Sequence, residues 1–175
     1  MASVLAGAAA FVLVLATGAA AEPTRAEAQA VFARFKGMAG EWEGKSTRGW
    51  TDRVTFRAIA GGSVVVHNSF EAHPGEEMMT AYHMHGDRLL LTHYCMAKNQ
   101  PRLVLSAVEE DGRRAVFTFL DATGIPTRDA GHMDKAVYEF TAEDRYTARW
   151  TWYQDGKESW LEEIEMRRVP ARAAR

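Results

Sequence analysis

The chain is poor in cysteine: Cys95 is the only one in 175 residues. That excludes an internal disulfide framework and any zinc site built from several cysteines. An excess of charge is lacking as well. The 21 basic and 23 acidic residues leave a formal net charge of −2, without the basic surplus of a general nucleic-acid binder. After residue 21 there is no apolar run long enough to span a bilayer. Gly-rich phosphate loops, paired carboxylates at a cleft and a Ser–His–Asp arrangement are all missing. Without them, the sequence points away from an enzyme.

What is present begins with residues 1–21, which carry no charge and are apolar at 17 positions. The core run Leu5–Ala16 has the length of a signal-peptide apolar region, and Ala19-x-Ala21 supplies small residues for cleavage. We expect a signal peptide at 1–21, a domain at 22–168 and a frayed tail at 169–175. The mature protein would be periplasmic or secreted, with no membrane span after cleavage. An uncleaved N-terminal anchor is the alternative. Without an internal disulfide, Cys95 would be buried, bound or paired between chains, so monomer and homodimer both stay open.

Thr24 followed by Glu27 forms a capping box. Ala28, Val31, Phe32, Phe35 and Met38 then recur at helical spacing, predicting a helix over about 25–37. From Gly40 onward the pattern alternates, with turn residues every eight to twelve positions. The spacing predicts ten strands, at about 40–48, 51–59, 63–71, 77–84, 88–95, 101–109, 114–120, 132–141, 145–153 and 157–168. Connections this short exclude crossover helices, so the sheet is expected to be antiparallel. The fold class is mainly β: an up-and-down barrel of about ten strands with one N-terminal helix, and a two-sheet sandwich as the alternative. Alternation places Trp42, Val54, Phe56, Val64, Val66 and Phe70 inside in the first three strands. Leu103, Leu105, Phe117, Phe119, Tyr138 and Phe140 continue that face, and Ala148, Trp150, Trp152, Trp160, Ile164 and Met166 complete it. Trp42 is expected to plug the barrel, with Phe32 and Phe35 packed on it.

Gly40-Glu41-Trp42-Glu43-Gly44 resembles the opening of calycin barrels: lipocalins, fatty-acid-binding proteins and nitrobindin-like haem barrels. Ala60-Gly61-Gly62-Ser63, Tyr82-His83-Met84, Gly86-Asp87-Arg88-Leu89, Thr92-His93-Tyr94-Cys95, Asn99-Gln100-Pro101-Arg102 and Gly131-His132-Met133 are similar to an exported bacterial lipocalin-like family, a domain of unknown function. The resemblance covers most of residues 38–168. It implies a small closed barrel whose interior can hold a ligand. The nitrobindin-like barrels imply a late haem histidine, here His132. The exported family implies a further histidine at the position of Asp134.

Five of the six histidines lie between His67 and His93. His83 and His93, with Cys95, could hold a transition metal if their strands pair in the right register. A three-residue turn centred on Gly86 would put His83 and His93 on one face. A two-residue turn at Gly86-Asp87 would separate them. Polar residues among apolar ones point instead to a lined cavity. We expect Asn68, Tyr82, His93 and Glu162 to make polar contacts, with Trp150 and Trp152 as walls. The expected role is non-catalytic binding of a small apolar or aromatic molecule in a lumen of roughly 300 Å³ or more. A haem- or transition-metal-binding barrel is the alternative. A solid barrel acting through rim loops 71–77 and 121–131 is the third.

Overall fold

The structure is a computed structural model that describes residues 21–73 and 76–170. All of the expected signal segment but Ala21, and residues 171–175 of the expected tail, lie outside that range. Helix α1 (Arg25–Gly37) is followed by strands β1 (Gly40–Ser46), β2 (Thr51–Ile59), β3 (Val64–His73), β4 (Glu76–His85) and β5 (Arg88–Tyr94). Strands β6 (Gln100–Glu109), β7 (Arg114–Thr123), β8 (His132–Ala142), β9 (Arg145–Gln154) and β10 (Lys157–Arg168) complete the chain. Each strand pairs antiparallel with its sequence neighbour, and β1 closes on β10. The barrel, rather than the sandwich, is the architecture. Among the described residues no helix is long and apolar enough to cross a membrane.

The capping box starts α1: Thr24 accepts from the Glu27 backbone N–H, and Glu27 accepts from that of Thr24. Ala28, Val31, Phe32 and Phe35 then form its buried face. Phe35, rather than Trp42, is the central plug. Its ring stacks on Tyr82 at 4.2 Å and meets Tyr138 edge-on at 5.1 Å. Trp42 sits to one side, edge-on to Tyr146 at 5.0 Å, with its indole N–H donating to the Met38 carbonyl. The glycines of the β1 pentapeptide have separate tasks. Gly40 adopts φ +124, and a Cβ on Gly44 would lie 2.1 Å from the Glu165 carbonyl oxygen. Gly44 thus lets β1 and β10 approach closely enough to close the barrel.

One strand runs in the opposite phase to the sequence expectation. The inward side chains of β3 are Val65, His67 and Ser69, whereas Val64 and Val66 are only half-buried. The cause is the turn before it. Ala60, Gly61 and Gly62 all take positive φ, and Ile59 pairs with Val64 across a four-residue connection. Inward Phe56 therefore faces His67, an odd-numbered position. Because side chains alternate with period two, this single turn sends Asn68 outward and His67 inward.

Candidate functional site

The half of the barrel under α1 is filled by aromatic rings. Tyr82, fully buried there, shares a 2.6 Å hydrogen bond with the Tyr138 hydroxyl, and burial pushes both phenols above their usual range. The other half holds a cavity of about 40 Å³. That is space for about three waters at roughly 10–15 Å³ each. It is well below the expected lumen. An aromatic ring would enter only if side chains moved, and the unbranched Met78, Met133 and Met166 on the wall are the ones suited to yield.

Among the described residues, the polar wall includes Asp52, His67, Ser69, Thr80, His93 and Glu162. All six are buried. Ser69 donates to Asp52 at 3.0 Å, and Thr80 shares a 2.9 Å bond with His93 Nδ1. The rest of the polar wall is not satisfied by protein. Both ring nitrogens of His67, His93 Nε2 and Glu162 Oε1 are buried without a hydrogen-bond partner. His67 stacks flat on Phe56 at 4.5 Å, and His93 lies 5.1 Å from the Trp150 ring. Burial drives the His67 imidazole down to about 3, helped by its neighbour His93, and His93 itself down to about 4. Both rings are therefore neutral near pH 7, and His67, with neither nitrogen partnered, has one bare nitrogen able to accept.

Of the residues expected to contact a ligand, His93, Glu162 and Trp150 meet at this cavity, with Glu162 directly opposite Trp150 across β10 and β9. Tyr82 belongs to the packed half. Trp152 is half-buried against the core, its indole N–H donating to Gln154 at 3.2 Å. Asn68 is on the outer face of β3 beside Val66 and Met79, a correction that follows from the turn at residues 60–63.

The expected metal trio is not assembled. His85 pairs with Arg88 around a two-residue turn, so His83 lies opposite Leu90 while His93 lies opposite inward Thr80. The two histidines occupy different faces. Strand β5 ends at Tyr94, and Cys95 begins the next turn, where its N–H donates to the Asn99 carbonyl. His132 is fully buried, and both its nitrogens are engaged. Nδ1–H donates to the Ala130 carbonyl at 2.6 Å, and Arg128 donates to Nε2 at 2.5 Å. Arg128 lies between the rings of Phe119 and Tyr153 and also reaches Asp134. This arrangement pins the residue 124–131 loop and leaves no ring nitrogen for a haem iron.

Sequence reasoning missed Asp52, His67, Ser69 and Thr80. The usable signal was the four-residue turn length, which fixes the parity of β3 and hence of Thr80, the cross-strand partner of His67.

No protein-family model matches the chain, and no curated protein matches it significantly. Solved structures share its fold, two of them as follows. One is a protein of unknown function from the DUF3598 family of Nostoc punctiforme, at TM-score 0.54 and 12% identity over 77% of this chain and 49% of that one. This chain thus spans about half of its length. The other is Rv2717c from M. tuberculosis, at TM-score 0.54 and 12% identity over 80% of this chain and 98% of that one. What these likenesses establish is the shared closed barrel.

Proposed function

We propose that this chain is an exported, calycin-like binding protein that holds a small molecule non-catalytically in its lumen. The supporting observation is the set of unpartnered polar atoms on His67, His93 and Glu162 around one cavity. Leaving a buried polar group unsatisfied costs about 1–3 kcal/mol. Against a typical net stability of about 5–15 kcal/mol, several such groups are a heavy burden for a barrel that needs only to fold. A bound molecule whose polar end faces these atoms relieves that burden. The apolar remainder of the wall, with Trp150 and three methionines, suits a small apolar body carrying one polar end.

The test is a titration of the mature protein with a library of small fragments, followed through the imidazole nitrogen signals of His67 and His93. Binding in the lumen is expected to shift both rings together and saturably, while His83 and His85 on the outside stay still. Ligands that move only surface signals, with both lumen rings unmoved, would contradict the proposal.

A further inference from the structure

We infer that the lumen site selects a small cation, and that its preferred occupant is an ammonium head of methylammonium size. The inference rests on the binding role proposed above and adds the sign and class of the ligand. It begins with a contrast between adjacent residues. Glu163, on the outer face of β10, is paired with Arg149, and Glu43, Glu109, Asp121, Asp134 and Glu139 likewise have arginine partners. Glu162, on the inner face, is 3% exposed, yet Oε1 has no hydrogen-bond partner and no described cation lies within 4.0 Å of its carboxylate. A buried carboxylate normally demands such a partner.

Among the described residues the cavity supplies none. Its formally charged lining residues, Asp52 and Glu162, are both acidic, and no lysine or arginine is among the described wall residues. The two imidazoles are held neutral, so they offer bare nitrogens rather than positive charge. Trp150 faces Glu162 across the strand pair and presents an aromatic ring beside His93. An ammonium group placed here would donate to Glu162 and to an imidazole nitrogen while lying against the indole face. An anion would meet the Glu162 carboxylate, with no lysine or arginine among the described wall residues. The 40 Å³ volume limits the head to two or three non-hydrogen atoms.

The deciding experiment titrates the full mature protein, at constant ionic strength, with methylammonium, neutral acetamide and formate, reading the His67 and His93 ring signals. Methylammonium alone is expected to give a saturable shift, weakened by about tenfold or more in Glu162→Gln. If acetamide or formate saturates the same signals as strongly, the cation inference is overturned and the lumen site stands. If no probe of any charge moves either ring, both fall. A Cu(I) titration forms a further arm. Tight Cu(I) binding that survives Glu162→Gln would assign the site to imidazole and thioether ligation and overturn the ammonium assignment. The selectivity among probes is read on the unaltered chain, so the outcome does not depend on the variant folding.

Discussion

Acidification from pH 6.5 to about 4 is expected to remove several kcal/mol of stability. The two lumen histidines carry the effect. Each has an ordinary value of 6.5, and burial holds His67 near 3 and His93 near 4 in the folded chain. Between 6.5 and those values the unfolded chain binds protons that the native barrel refuses. Stability therefore rises with pH across this window and is lost as pH falls through it. Each histidine contributes up to about 1.4 kcal/mol per pH unit, so by pH 4 each has cost on the order of 3 kcal/mol. Urea unfolding at successive pH values measures the slope. Replacing both histidines with glutamine should flatten it in this window while leaving the remaining carboxylate-dependent loss at lower pH. An unfolding free energy that is level from pH 6.5 to 4 in the parent would show that the rings are not buried and neutral as described.

Phe35→Ala is expected to cost about 3–5 kcal/mol, the usual range for deleting a buried phenyl ring. Phe35 is fully buried and touches five rings, those of Phe56, Tyr82, Phe117, Tyr138 and Phe140. Helix α1 is short, and such helices owe their stability mainly to the apolar face they bury. Loss of its central anchor removes both the ring contacts and the reason for α1 to stay docked. At roughly 2–4 °C per kcal/mol for a chain of this size, the thermal midpoint should fall by about 6–20 °C. Exchange protection of the α1 amides should fall further than that of β9 and β10. A change of only a degree or two would mean that the barrel is closed by its strands alone and that α1 is an accessory.

Much of this architecture is legible in the sequence because its signals are local. Thr24 and Glu27 announce the helix, and turn residues separate all ten strands, with glycine in seven of the nine connections. The barrel itself follows from connections too short for anything except neighbour pairing. The site is less legible because it depends on parity. His67 and Asn68 are adjacent, both polar and both flanked by apolar residues, so composition cannot say which one faces the lumen. Three consecutive positive-φ residues at Ala60–Gly62 decide it, and an alternation count that takes the turn as parity-neutral reaches the wrong face. The same sensitivity decides the fate of the metal trio, since a three-residue β4–β5 turn would have put His83 and His93 on one face. Glu162 and His93 were found because each interrupts an apolar face whose phase was read correctly. The volume of the lumen had no sequence signal, since it depends on how Trp150 and the three methionines pack.

The central claim is that polar groups in the lumen are kept for binding at the expense of the empty fold. The most direct test is the stability of Glu162→Met, compared with the parent after both have been refolded free of any co-purified molecule. Methionine keeps the length and flexibility of the side chain while removing a buried, unpartnered carboxylate. The account predicts a more stable barrel, by about 1–3 kcal/mol, with the denaturation midpoint shifted upward. A midpoint shifted downward would show that Glu162 is already satisfied within the fold, and would contradict the assignment of the lumen as a binding site.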